Sequence, residues 1–249
     1  MPRFDSKTVL VTGGSSGIGL ATAIAFEAEG ASVVITGRDQ EALDEANHGR
    51  EDTFWTIRND ASHIEDAQAL ADTLASQGVR LDAVFLNAGV ARFAPLEQVD
   101  VALWDEIFNT NVKGPYFQIQ ALAPLLNEGA SIVINGSINA RIGMPHTSVY
   151  AASKAAAISL ARTLSAELLA KGVRVNVLSP GPVTTPIYQK LGLDGAALDA
   201  TAASIRDQIP LGRFGTPEEI AATVLHLSAQ ESAYIVGTEI VADGGMSQL

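Results

Sequence analysis

Hydrophobic positions in this chain come in short, unbroken runs rather than in strict alternation. The runs at 7–12, 31–36, 53–57, 81–86, 131–135, 173–178 and 238–241 are strand-sized and mostly apolar. Continuous apolarity of that length marks strands covered on both faces. Between them the period changes. Leu20, Ala23, Ile24 and Ala28 recur at helical spacing over 18–29, and Gly30 stands where a helix end takes glycine. Further helices are predicted from Gly37-Arg38-Asp39 to about His48, over 62–77, and from Val149 to Lys171. The stretch 99–126 reads as partly helical, interrupted at Gly114-Pro115 and Pro124. Ser62 is the expected cap of its helix, with Glu65 placed for a capping box, and Thr216-Pro217-Glu218-Glu219 opens another helix in the same way. Strand and helix alternate from end to end. That order predicts an α/β chain: a doubly wound, seven-stranded parallel sheet with helices on both faces, in one domain over 1–249. Residues 183–211 carry little strand pattern and are expected to form a lid, with Ile187, Tyr188, Leu191 and Leu193 on its apolar underside.

Composition narrows the choice of partners. The 249 residues are 47% apolar and carry a formal net charge of −12. An acidic chain repels phosphate backbones, which argues against nucleic acid as the partner. No apolar run approaches the roughly 18 residues of a membrane span. There is no cysteine, so no disulfide framework and no thiolate nucleophile, which suits a cytoplasmic setting. The polar opening 2–7 does not resemble a secretory leader. His48, His63 and His226 have no metal-ligand spacing, so no metal is expected. The helix from Val149 is apolar on most sides through Ala151, Ala152, Ala155, Ala156, Ile158, Leu160 and Leu164. One side must cover the sheet, and another is expected to meet a second subunit.

Two stretches carry candidate chemistry. In Tyr150-Ala-Ala-Ser-Lys154 the Tyr and Lys stand four apart, on one face of a helix. A lysine beside a phenol favours the phenolate, which would bring a weak acid toward use as a proton donor or acceptor. The other stretch, Thr12-Gly13-Gly14-Ser15-Ser16-Gly17-Ile18-Gly19, joins the first strand to the first helix. Glycine allows the sharp turn and the close approach, and the helix N-terminus offers free N–H groups to a pyrophosphate. NAD sites place an acid about 20 residues further on, at the ribose 2′-hydroxyl. Here that place holds Gly37, followed by Arg38. A guanidinium suits a 2′-phosphate, so NADP(H) is the expected coenzyme and NAD(H) the second choice. Asp39 either pairs with Arg38 or accepts from a ribose hydroxyl.

The spacing GxxxGxG, with Asn87-Ala88-Gly89, Asn111, Ser137, Tyr150, Lys154 and Pro180-Gly181 following in order, resembles the short-chain dehydrogenase/reductase family. The resemblance covers the chain from Lys7 to the Asp243-Gly244-Gly245 tail. It implies an oxidoreductase passing hydride between nicotinamide and a carbonyl or secondary alcohol. Tyr150 would be its acid/base, Lys154 would lower the Tyr150 pKa, Ser137 would position substrate and Asn111 would anchor a proton relay. Gly13, Ser15, Ser16, Gly17, Ile18 and Gly19 would line the pyrophosphate. Asp60 and Ala61 would meet the adenine, and Asn87, Ala88 and Gly89 the adenosine ribose. Tyr150 and Lys154 would also touch the coenzyme, and Pro180, Gly181, Val183 and Thr185 its carboxamide end. The family suggests a homotetramer, or a homodimer, through the helices of 99–126 and 149–171. Two other readings stand beside this one. Gly13-Gly14-Ser15-Ser16-Gly17 also fits the GxSxG elbow of hydrolases, with His226 and Asp243 in the wrong order. A coenzyme-binding sensor on the same fold is the second. Arg141, between Ser137 and Tyr150, either favours an anionic substrate or faces solvent, and His146 is read as a loop histidine.

Overall fold

The apolar runs become strands because each sends alternate side chains to opposite faces, and both faces are covered. In the computed structural model, which describes residues 2–185 and 195–249, the strands are β1 (Thr8–Thr12), β2 (Ser32–Gly37), β3 (Phe54–Arg58), β4 (Leu81–Leu86), β5 (Leu126–Asn135), β6 (Arg174–Pro180) and β7 (Glu239–Ala242). The helices are α1 (Gly17–Ala28), α2 (Gln40–Asn47), α3 (Ile64–Ser76), α4 (Val101–Phe108), α5 (Gly114–Leu122), α6 (Ser148–Leu168), α7 (Gly195–Arg206) and α8 (Pro217–Ser228). The sheet order is β3-β2-β1-β4-β5-β6-β7, and every pairing is parallel. Val9 and Val11 of β1 point into one core with Phe26, Ile35, Phe85 and Val224. Leu10 points into the other with Leu70, Leu74, Ile119 and Leu164. The first core lies under α1 and α8, the second under α3, α5 and α6. Strand order reverses between β1 and β4, and the crevice outside the carboxyl ends there is where such sheets take ligands.

Three local expectations change. Ser62 does not cap α3. Its amide and hydroxyl both donate to the Asp60 carboxylate, at 2.9 and 2.7 Å, and the helix starts one residue later from His63 without a side-chain cap. Gly114-Pro115 is not an interruption but the first turn of α5, where proline lacks nothing the helix needs. A π turn, Asn109–Lys113, joins α4 to α5. A Cβ at Gly114 would lie 2.0 Å from the Ala61 carbonyl oxygen, so glycine lets α5 press on the loop after β3. Strand β5 begins at Leu126 rather than at Ser131, with a register shift opposite Leu81 and Ala83. The capping box predicted at Thr216 and Glu219 is present.

The far end of the sheet is tied by a buried cation. Arg174, 5% exposed, donates to the carbonyls of Leu227, Ala229 and Ile235 at 3.0–3.2 Å. It thereby satisfies carbonyls that the end of α8 leaves free.

Candidate active site

The crevice at the switch point is lined first by backbone. Gly13 and Gly17 have φ of 62° and 53°, the left-handed region that favours glycine. A Cβ on Gly19 would fall 2.1 Å from the Gly13 carbonyl oxygen. Ser16 stands at the N-cap of α1 and makes no capping bond, so the first amides of that helix lack a side-chain acceptor. The turn is held from beneath. Asn87 Nδ2 donates to the carbonyls of Thr12 and Gly13, both at 3.1 Å. The amides of Asn87 and Ala88 donate to Thr12 Oγ1. Uncapped amides, left-handed glycines and a position closed to any side chain fit a pyrophosphate.

On the β2–β3 side, Arg38 is exposed just past the end of β2. Asp39 turns away from it: its carboxylate caps α2, accepting from the amides of Glu41 and Ala42. Capping takes its Oδ1, and it forms no ion pair with Arg38 among the described residues. Asp60 is half-buried. Burial raises its carboxyl, but the bonds from Ser62 and the charges of Arg38 and His63 outweigh that and hold it below its usual range. Ala61 is buried beside it.

At the other end, the side chains on α6 meet the ends of β4 and β5. Lys154 is buried, and its Nζ donates to the Asn135 carbonyl at 2.7 Å. The same Nζ lies 5.7 Å from the centre of the Tyr150 ring. Burial pulls the Lys154 pKa down to about 8. Burial also pushes the Tyr150 phenol up, with hydrogen bonding from Ser137 acting against it. This reverses the expectation that the resting Tyr150 pKa is lowered by Lys154. Removal of the phenolate from water outweighs the bond from Ser137, and the Lys154 charge is not among the causes of the shift. Ser137 is buried in extended backbone and accepts from the Asn139 amide at 3.2 Å. The side chain of Asn111 is fully occupied. Its Oδ1 accepts from the Val90 amide, and its Nδ2 donates to the Val90 carbonyl and to Ser153 Oγ. Gly89 packs between them, its added Cβ falling 3.2 Å from Asn111 Oδ1 and 3.6 Å from Lys154 Nζ.

Gly181 closes the crevice against the C-terminal tail, where a Cβ would meet the Asp243 backbone at 2.7 Å. Val183 bridges to Gly215, and Thr185 follows it half-buried. The proposed lid residues Ile187, Tyr188, Leu191 and Leu193 lie outside the described residues.

Several contributors carry no signal in the one-dimensional pattern. Phe93 sets its ring edge against Tyr150, centroids 5.7 Å apart. Asn135 supplies the carbonyl that holds Lys154. Arg141 is engaged neither with solvent alone nor with the crevice: it forks onto Glu239 of β7. Burial raises the Glu239 carboxyl, and Arg141, with Ser179 and Arg162, outweighs this to leave it lowered. That contact removes Arg141 as a free cation for an anionic substrate. His146 sits at φ 66° and lines a mainly apolar recess of about 430 Å³ with Leu96, Ile142, Met144 and Ala151. The hydrolase reading finds no partners among the described residues: His226 lies against Ser232, and the Asp243 carboxylate accepts from the amides of Gly245 and Ser247.

Comparison with known proteins agrees with this geometry. A family model described as enoyl-(acyl carrier protein) reductase matches residues 13–247. The chain is 37% identical over 250 residues to Oxidoreductase asL5 of Sarocladium schorii, covering 99% of this chain and 98% of that one. It is 34% identical over 252 residues to the 3-oxoacyl-[acyl-carrier-protein] reductase FabG of Thermotoga maritima, covering 98% and 99%. It is 35% identical over 248 residues to the D-threitol dehydrogenase of Mycolicibacterium smegmatis, covering 98% and 94%. Among solved structures, a short-chain dehydrogenase/reductase from Brucella melitensis titled glucose/ribitol dehydrogenase superposes with a TM-score of 0.92 at 31% identity, covering 99% of each chain. Because the likeness runs the full length in both sequence and fold, the chain belongs to the short-chain dehydrogenase/reductase family of oxidoreductases.

Proposed function

We propose that this oxidoreductase uses NADP(H) to reduce a carbonyl group, with Tyr150, Lys154, Ser137 and Asn111 as its proton-handling residues. The observation that carries the reading is the convergence of a buried lysine, a half-buried tyrosine and a buried serine at the end of β5. When bound, the nicotinamide supplies or receives the hydride. Tyr150, with its pKa raised, is a neutral phenol at neutral pH and so a donor to the carbonyl oxygen as negative charge develops there. Lys154, protonated below about pH 8, stabilises the phenolate as it forms rather than lowering the resting pKa. Ser137 donates to the same substrate oxygen and holds it beside the phenol. Since the Asn111 side chain is committed to Val90 and Ser153, a relay water would rest on its main-chain carbonyl, within the π turn.

Gly13, Ser15, Ser16, Gly17, Ile18 and Gly19 hold the pyrophosphate, Asp60 and Ala61 the adenine, and Asn87, Ala88 and Gly89 the adenosine ribose. Pro180, Gly181, Val183 and Thr185 border the carboxamide. Arg38, left uncompeted by Asp39, carries the choice of NADP(H) over NAD(H).

The protein acts as a homotetramer or homodimer. Trp104 stacks on Phe108 and remains 46% exposed. Beside them a cavity of about 340 Å³ opens among Phe108, Val112, Tyr116, Phe117 and Leu160. Large apolar side chains left in water around such a recess favour a second copy.

NADPH consumption by the purified protein across aldehydes, ketones, ketoacyl thioesters and sugars, repeated with NADH, tests the reading. Turnover of a carbonyl with NADPH preferred supports it. Turnover with NADH preferred, or coenzyme binding without turnover of any carbonyl, contradicts it.

A further inference from the structure

Arg58, the last residue of β3, has no role in the account so far. It stands in register with Gly37, and its Nε donates to the Arg38 main-chain oxygen at 3.1 Å. That bond holds the Arg58 guanidinium against the Arg38 main chain through Nε, so its terminal nitrogens are not used in it. Neither arginine takes part in an ion pair among the described residues. Nearby carboxylates have other work. Asp39 caps α2. Asp60 accepts from Ser62, pairs loosely with His63 at 3.8 Å, and feels Arg38 only as a nearby charge. Two exposed arginines thus stand at the carboxyl ends of β2 and β3, neither in an ion pair among the described residues. Two unpaired cationic side chains at one edge of the sheet favour an anionic ligand there.

We infer that Arg58 is a second arm of the site that reads the coenzyme's 2′-phosphate, acting with Arg38 to set specificity. The inference rests on the NADP(H) reading above and adds a residue to it. A phosphate monoester carries close to two negative charges and three acceptor oxygens, more than one guanidinium fork satisfies. A free 2′-hydroxyl offers no such charge, so Arg58 separates the two coenzymes rather than strengthening both. The bond to the Arg38 carbonyl preorganises the arm, which reduces the ordering cost of binding.

The test is calorimetric titration of the full-length protein and its Arg58→Leu, Arg58→Lys and Arg38→Leu variants with NADPH, NADH, 2′,5′-ADP and 5′-AMP. Arg58→Leu is expected to weaken NADPH and 2′,5′-ADP by about tenfold or more, and to leave NADH and 5′-AMP within about twofold, the size of one lost charged hydrogen-bonding partner. Arg58→Lys keeps the charge without the fork and is expected to lose part of that amount; it also covers the case of a poorly folding leucine variant. Equal weakening of phosphorylated and unphosphorylated ligands would overturn the inference in favour of a general charge effect. Loss in Arg38→Leu with none in either Arg58 variant would overturn it while leaving the NADP(H) reading intact. Equal wild-type affinity for NADPH and NADH would overturn both.

Discussion

The two ends of the crevice are built differently. At the nucleotide end the work is done by backbone, and the side chains there are engaged in holding it: Asn87 and Thr12 brace the glycine turn, Ser62 engages Asp60, and Asp39 caps α2. At the chemical end the side chains themselves are under electrostatic tension. Lys154 is a buried cation that donates to a neutral carbonyl, and Tyr150 is an acid pushed away from ionisation. Geometry that binds can be fully satisfied. Groups that move protons must stand away from their ordinary pKa values, at a cost to stability. The difference explains why one end tolerates almost no added atoms while the other is sensitive to charge.

Removing the tension should have the largest effect. Lys154→Met is expected to lower the turnover number by about a hundredfold or more, within the usual range for proton-transfer groups. It should also raise stability at pH 7, on the order of 1 kcal/mol, by removing a buried cation. The sign follows from the direction of the shift. The folded pKa of about 8 lies below the ordinary lysine value of 10.5, so the unfolded chain holds more protons between those values. Wild-type stability therefore carries a contribution that rises with pH across that window, and the variant should lack it; thermal unfolding measured from pH 7 to 10 checks this. In the wild type, carbonyl reduction should fall as pH rises past about 8.

Crowding the nucleotide end comes next. Gly19→Ala places a methyl group 2.1 Å from the Gly13 carbonyl oxygen. It should cost roughly 1–3 kcal/mol of stability, as overpacking does, with much of the NADPH affinity, read by fluorescence titration. Arg141→Leu leaves Glu239, whose side chain is 2% exposed, without its main partner. A loss of roughly 1–3 kcal/mol is expected, with a raised KM for the carbonyl and an unchanged Kd for NADPH, because Arg141 follows the Ser137 turn. Smallest is Ser16→Ala. Its side chain caps nothing in the free protein, so the thermal midpoint should move by less than about 0.5 kcal/mol in equivalent stability, with only NADPH binding weakened.

Much of the fold could be read from the hydrophobic pattern because helices cover both faces of the sheet, leaving every strand apolar along its length. Strand β5 is the instructive exception. Its first half passes through exposed Glu128 and Gly129, so the strand pattern shows only from Ser131 and Leu126 reads with the partly helical stretch before it. The Ser62 cap was misjudged because Asp60, two residues back, competes for the same hydroxyl. Nothing local marks the π turn at Asn109–Lys113 or the pairing of Arg141 with Glu239, 98 residues away. The Tyr150 and Lys154 pair was visible from spacing alone. Its pKa direction was not, since desolvation depends on what folds around the helix: β5, Phe93 and the Ser137 turn.

The most direct test of the account is to measure turnover and NADPH affinity together in Tyr150→Phe. The turnover number for carbonyl reduction is expected to fall by about a thousandfold or more, in the range expected for loss of a general acid, with the NADPH dissociation constant changed by less than about twofold. Turnover retained within about tenfold of the wild type, with coenzyme bound, would contradict it.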